Sequence, residues 1–239
     1  MGKFIHLISG PRNISTALMY SFASRSDFNA VDEPFYAYYL SKYQIDYHPA
    51  TEAILASQKH AAQDVLADLF QQTQQSNLFV KNMAHHLVGF DLEWMEGVYN
   101  IFLIRDVKRL INSFAKVIPE VSLSDIGIKR EWQLYKELVD KGQSPIIVDA
   151  NEILKNPSKV LREICEHCDL PFSKKMLTWE EGPKPYDGVW APHWYTNVHK
   201  STAFGSAYIE EVEVLPKYHQ LWEEADYYYQ QLFSNSIIA

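Results

Sequence analysis

The chain has 239 residues, 47% of them apolar and 22% charged, so it can bury a sizeable core and is not of the disordered class. Lys and Arg number 22 against 30 Asp and Glu, a net charge of −8. That balance argues against a nucleic-acid or anionic-membrane partner but leaves room for a local anion pocket, which needs only a few cationic groups.

Phe4 to Ser9 is a short apolar run of β-formers stopped by Gly10-Pro11, and reads as a buried strand. Ile14 to Ala23 reads as a helix, and Asn29 to Asp32 as a second strand ending at Glu33-Pro34. An apolar stripe through Ile54, Leu55, Val65, Leu66, Leu69 and Phe70 predicts one long helix over Thr51 to Thr73. Leu78 to Val80 is a third strand, and Tyr99 to Ile104 is the fourth and clearest. A helix from Lys108 to Lys116 follows, then another from Ser124 to Asp140 with Ser124 or Asp125 as its cap. Pro145 to Val148 is a fifth strand, and Pro157 to Cys168 a helix with proline at its start. Trp179 to Gly205 has no period and is rich in Gly, Pro, Trp, Tyr and His, which predicts a long ordered loop. Tyr208 to Phe233 reads as a closing helical region. Strands that are continuous apolar runs and alternate with helices predict an α/β fold, with a mostly parallel sheet covered on both faces and one domain over residues 1–239.

No segment has the length and apolarity of a membrane span, and the start lacks the pattern of a signal peptide. Two cysteines, Cys165 and Cys168, make no disulfide framework. A soluble, cytoplasmic protein is the expectation. The Cys165–Cys168 pair sits late in a helix with no second ligand pair at zinc-finger spacing, so buried, unligated thiols are expected there.

In an open parallel sheet the ligand binds beyond the carboxyl ends of the strands. The first strand ends in Gly10-Pro11-Arg12-Asn13-Ile14-Ser15-Thr16 and then enters a helix. Free N–H groups at a helix N-terminus, a cationic Arg12 and two hydroxyls suit a phosphate; a plain turn with capping hydroxyls would read the same way. The pattern is not a Walker A loop, because its lysine is absent. The fourth strand ends in Arg105, and Ser113 follows eight residues on, inside the next helix. An arginine leaving a buried strand needs an anion, either a ligand or a carboxylate such as Asp106.

Taken together, these two stretches resemble the cytosolic-type sulfotransferases that use 3′-phosphoadenosine 5′-phosphosulfate. That family has a Pro-Lys/Arg-x-Gly-Thr-Thr-like loop after its first strand and Arg-Asp-Pro-x5-Ser after a central strand. Here the two read Pro11-Arg12-Asn13-Ile14-Ser15-Thr16 and Arg105-Asp106-Val107-(x5)-Ser113. Val31-Asp32-Glu33-Pro34-Phe35-Tyr36 and Gly188-Val189-Trp190-Ala191-Pro192-His193-Trp194-Tyr195 are similar to a bacterial sulfotransferase-like subgroup. Ile14 stands for the loop glycine and Val107 for the proline. The resemblance implies a three-layer α/β/α fold like that of the P-loop NTPases and transfer to a small-molecule or carbohydrate acceptor, with no metal required. It gives the 5′-phosphosulfate to Gly10 through Thr16, with Arg12 in the lysine's role, and the 3′-phosphate to Arg105 and Ser113. Lys200, Ser201 and Thr202 stand near the family's late basic loop. Glu33 is the first choice of general base and His85 the second, with His86 beside it. Trp190, His193, Trp194 and Tyr195 are candidates for an acceptor wall. Two rival readings stand: a P-loop phosphotransferase with Asp106 on magnesium, and a non-catalytic nucleotide-binding protein of the same fold.

Overall fold

The structure, a computed structural model, describes residues 2–46, 48–116 and 120–239. Its centre is a six-stranded sheet in the order β2-β3-β1-β4-β5-β6. The strands are β1 (Phe4–Ser9), β2 (Phe28–Asp32), β3 (Asn77–Met83), β4 (Tyr99–Ile104), β5 (Ile146–Asp149) and β6 (Ser236–Ile237). Every neighbouring pair is parallel. β1, β3, β4 and β5 are almost wholly buried, while β2 at the sheet edge is partly exposed, and apolar residues alternate between two cores on opposite faces. On one face Ile8, Val80 and Phe102 meet α4 (Ala62–Thr73), α5 (Val107–Phe114), α7 (Ile128–Asp140) and α12 (His219–Phe233). On the other, Leu7, Phe79 and Leu103 meet α1 (Ser15–Ala23), α8 (Ala150–Lys155) and α9 (Pro157–His167). The architecture is the expected three-layer α/β/α, P-loop-like sandwich.

The chain leaves β1 for β2 on one side and later crosses to β4 on the other, so the ends of β1, β3 and β4 surround the crevice where such sheets hold ligands. Register places Ser9 beside both Met83 and Leu103. The residues that follow, Gly10, Ala84 and Ile104-Arg105, therefore share one edge.

Several elements differ from expectation. The single helix over Thr51 to Thr73 is two, α3 (Thr51–Ser57) and α4, broken at Gln58. Gln58 leaves the helix because its side chain is used elsewhere: Oε1 accepts from the Ala37 N–H at 3.0 Å and Nε2 donates to the Glu33 carbonyl at 3.0 Å. Those bonds support α2 (Tyr36–Tyr43), a helix hidden in the sequence by its β-forming tyrosines. The helix expected from Ser124 to Asp140 is α6 (Leu123–Ile126) and α7, split at Gly127 with φ of 80°. Its cap is Ser122, in a reciprocal box with Asp125. The loop from Trp179 to Gly205 is ordered but contains two short helices, α10 (Ala191–Trp194) and α11 (Thr196–His199). The closing helix starts late: Tyr208 to Leu215 is an extended strap, and only from Pro216 does the chain coil. Among the described residues no helix is long and apolar enough to cross a membrane.

Candidate functional site

The loop after β1 is held by its neighbours. A Cβ on Gly10 would run into the Ile126 carbonyl oxygen, so this close approach requires glycine. Asn13 Nδ2 donates to the Leu103 carbonyl on β4 at 2.6 Å, and its Oδ1 accepts from the Ile14 N–H at 2.9 Å. Asn13 is thus a brace between loop and sheet. Ile14, where the family has glycine, packs its side chain against the core under α1. Ser15 and Thr16 are buried in the first turn of α1, whose leading N–H groups have no partners within the helix. Arg12 adopts φ of 58°, a left-handed conformation costing a non-glycine residue about 1–3 kcal/mol and typical of functional loops.

Arg12 and the β4 arginine meet. Arg12 Nε donates to Ser113 Oγ at 3.3 Å, and Arg105 Nη1 donates to the Arg12 backbone carbonyl. The Arg12 pKa is lowered, first by burial and then by the charge of Arg105. Arg105 Nε is buried without a hydrogen-bond partner, and among the described residues no carboxylate pairs with either arginine. Two partly desolvated guanidiniums side by side repel, and an anion between them removes that cost. Asp106 is not that anion: its carboxylate caps α5 by accepting from the Arg109 N–H at 2.9 Å. Val107 opens α5, at a position where proline is also welcome, and buries its side chain in the core. The site thus brings two cationic side chains together, one with a buried donor that has no partner among the described residues.

At the end of β2 lies a second cluster. Glu33, with φ of 41°, is 6% exposed, and Lys81 and Asp32 beside it are 1% and 5% exposed. Lys81 Nζ donates to Asp32 at 2.8 Å, to Glu33, and to the Tyr195 hydroxyl at 2.9 Å. That hydroxyl donates to Asp32 at 2.7 Å and accepts from Trp190 Nε1 at 3.2 Å. Burial pushes the Glu33 carboxyl up to about 7, against the pull of Lys81 and with the help of Asp32. Burial also works against the Lys81 ammonium, but Asp32 and Glu33 outweigh it and raise its pKa well above the usual value. His86 lies with Nδ1 3.8 Å from Glu33 and stacks on Tyr36. Burial lowers His85 to about 4 and drives His86 well below the ordinary histidine value.

The other predicted residues divide, with Trp190 and Tyr195 hydrogen-bonded to each other beside Lys81. Trp190 and Tyr195 are core residues packed with Tyr36, Leu40 and Ile54, while His193 is exposed and Trp194 half-buried. Ser201 Oγ accepts from Trp179 Nε1 at 3.2 Å, and the Thr202 carbonyl accepts from the Trp179 N–H at 2.9 Å. Among the described residues no hydrogen bond or ion pair joins Lys200, Ser201 or Thr202 to Arg12, Arg105 or Ser113. Sequence reasoning missed Lys81 as Glu33's partner. It also missed Tyr208, which stands on Arg105, because the stretch around it reads as helix. The two cysteines are buried, with thiols pushed up to about 11 and about 12 by burial. No three His, Cys, Asp or Glu side chains converge as metal ligands among the described residues.

Comparison with known proteins gives three results. The sequence model of a family described as "Sulfotransferase domain" matches residues 3–230. Two Arabidopsis thaliana proteins, branched-chain-amino-acid aminotransferase-like proteins 2 and 1, are each 37% identical over 206 residues, 85% of this chain. The match is 36% and 37% of their own lengths, so the chain spans little more than a third of these relatives. In three dimensions the chain is similar to the sulfotransferase domain of the curacin biosynthetic pathway (TM-score 0.60, 15% identity, 100% of this chain and 99% of that one). It is also similar to the sulfotransferase domain of the Synechococcus PCC 7002 olefin synthase (TM-score 0.57, 17% identity, 95% of each chain). A sulfotransferase from Alicyclobacillus acidocaldarius gives a TM-score of 0.57 at 10% identity, over 99% of this chain and 97% of that one. These structural likenesses concern the fold; the family match over almost the whole length decides membership, and the chain belongs to the sulfotransferase family.

Proposed function

We propose that this chain is a single cytoplasmic domain that transfers a sulfuryl group from 3′-phosphoadenosine 5′-phosphosulfate to a hydroxyl or amine of a small-molecule or carbohydrate acceptor. The observation that carries the reading is the meeting of Arg12 and Arg105 at the ends of β1 and β4, with neither in an ion pair to a carboxylate among the described residues. When bound, the donor supplies a sulfuryl group on a phosphate leaving group. Gly10 through Thr16 would hold the 5′ side, with Pro11 shaping the turn and the first N–H groups of α1 and the Ser15 and Thr16 hydroxyls as donors. Arg12 would stabilise the negative charge that develops on the leaving phosphate. Arg105 and Ser113 would grip the 3′-phosphate, with Lys200 to Thr202 as further donors.

Glu33 is our general base. A carboxylate whose pKa burial has raised toward neutrality is a stronger base than an ordinary glutamate. His85, at about 4, is a weaker base and ranks second; His86 is weaker still. The segment carrying Trp190, His193, Trp194 and Tyr195 forms the acceptor side, because the Tyr195 hydroxyl shares Lys81 with Glu33. We do not extend the words "aminotransferase-like" in the plant relatives' names to this chain, which spans little more than a third of their length. A Schiff-base lysine needs a lowered pKa, and the buried Lys81 here has a raised one.

The test is transfer of labelled sulfuryl from the donor to a panel of alcohols, phenols, sugars and amines. Labelled product that disappears in Arg12→Ala supports the reading. Magnesium-dependent ATP turnover without sulfuryl transfer would make the chain a phosphotransferase, and tight nucleotide binding without transfer a non-catalytic binder.

A further inference from the structure

The strap from Tyr208 to Leu215 has no helix or strand, yet it is fastened along its length. Asn151, in the first turn of α8, takes both backbone groups of Tyr208: its Oδ1 accepts from the Tyr208 N–H at 2.7 Å and its Nδ2 donates to the Tyr208 carbonyl at 3.3 Å. Arg109 donates to the Glu210 carbonyl, and Asn112 Nδ2 donates to the Glu213 carbonyl at 2.7 Å. Val214 and Tyr218, both buried, anchor the far end.

This fastening sets the Tyr208 ring against two guanidiniums, with its centroid 5.1 Å from Arg105 and 4.7 Å from Arg109. Arg105 Nη2 donates to the Tyr208 hydroxyl at 3.2 Å. A phenol oxygen that accepts in this way still has its own proton to give, and among the described residues that proton has no acceptor. Arg105 Nη1 is spent on the Arg12 carbonyl, while Nε is buried and unpartnered. Nε and Nη2 form the fork by which a guanidinium grips a phosphate side-on, and the Tyr208 hydroxyl is bonded to its Nη2 arm.

We propose that Tyr208 is a ligand of the 3′-phosphate: its hydroxyl donates to the anion that Arg105 and Ser113 hold, and Asn151 positions it there. Tyr208 is then a determinant of the preference for a nucleotide bearing a 3′-phosphate over one without it. The inference rests on the donor reading above and deepens it.

Calorimetric titration of the full chain with 3′-phosphoadenosine 5′-phosphate and with AMP tests it. Tyr208→Phe keeps the ring over both arginines and removes one hydrogen bond to a charged group. It should weaken the doubly phosphorylated nucleotide about tenfold and leave AMP within about twofold. Asn151→Ala should act in the same direction, and the double variant should lose little more than the larger single loss. If the wild-type protein prefers the 3′-phosphorylated nucleotide and Tyr208→Phe keeps that preference in full, the Tyr208 assignment is wrong and the donor reading stands. An equal loss for both nucleotides also overturns the assignment and makes Tyr208 a structural prop. A wild-type protein that does not distinguish the two overturns both.

Discussion

Arg105, the residue that leaves β4, donates a hydrogen bond to the backbone carbonyl of Arg12 in the loop that leaves β1. One side chain thus belongs to two halves of the site, as a cation at the end of β4 and as a brace for the loop after β1. Arg12, by contrast, gives the brace only its backbone, which any residue supplies.

Substitution should separate these roles. Arg12→Ala keeps the carbonyl and the brace but loses the charge aimed at the leaving phosphate, so kcat should fall about 10²–10³-fold while nucleotide affinity falls less than in Arg105→Ala. Arg105→Ala loses both charge and brace, so nucleotide affinity should fall at least about tenfold and kcat with it. Steady-state kinetics with calorimetry check this, and indistinguishable effects of the two variants would contradict it.

Glu33 gives the reaction its pH dependence. Its carboxyl has moved from an ordinary 4.5 to about 7, so kcat/KM should rise with pH through about 7 as the base ionises. Glu33→Gln should flatten that limb and lower kcat about 10²–10⁴-fold, whereas His85→Ala should keep the limb. A limb that survives in Glu33→Gln and vanishes in His85→Ala would move the base to the histidine. Stability carries the matching sign. The folded state holds the Glu33 proton more tightly than the unfolded one, so this stabilisation is full below about 4.5 and is lost as pH rises through about 7. Glu33→Gln should flatten the stability curve over that window.

Lys81 is the cation that pairs with both the buried Asp32 and Glu33 carboxylates. Removing it while leaving both acids should cost about 3–5 kcal/mol. Urea denaturation of Lys81→Met is the measurement, with the largest loss at neutral pH and a smaller one in acid, where Glu33 takes up a proton. Adding Asp32→Asn and Glu33→Gln should recover part of the loss. An unchanged midpoint would mean that the three charges do not hold this corner together.

The cysteines should be inert. Both are buried and their thiols are pushed up to about 11 and about 12, so neither supplies thiolate at neutral pH. A thiol reagent should titrate neither in the native protein and both after unfolding; rapid native labelling would contradict the packing around α9.

Much of the fold was legible because buried parallel strands are plain apolar runs. β1 and β4 read from the sequence with their observed ends. What escaped was set by distant partners. β3 runs on through Lys81 and Asn82, polar residues that end a strand on paper but are buried here against Asp32, Glu33 and His6. β6, two residues long, exists through its pairing with β5. The strap at Tyr208 has helical composition but is drawn out by Asn151, Arg109 and Asn112. At the site, motif spacing picked out Arg12, Arg105 and Ser113, and folding brings them into contact. The Lys81–Glu33 pair was not legible, because no spacing reports that two strand ends will share a charge.

In the proposed function the arginines at the ends of β1 and β4 hold the two phosphates of one nucleotide. A crystal structure of the protein with 3′-phosphoadenosine 5′-phosphate tests this. The 3′-phosphate should lie within hydrogen-bond distance of Arg105 and Ser113, and the 5′-phosphate in the loop from Gly10 to Thr16. A nucleotide bound with its 3′ end in solvent, away from the tip of β4, would contradict it.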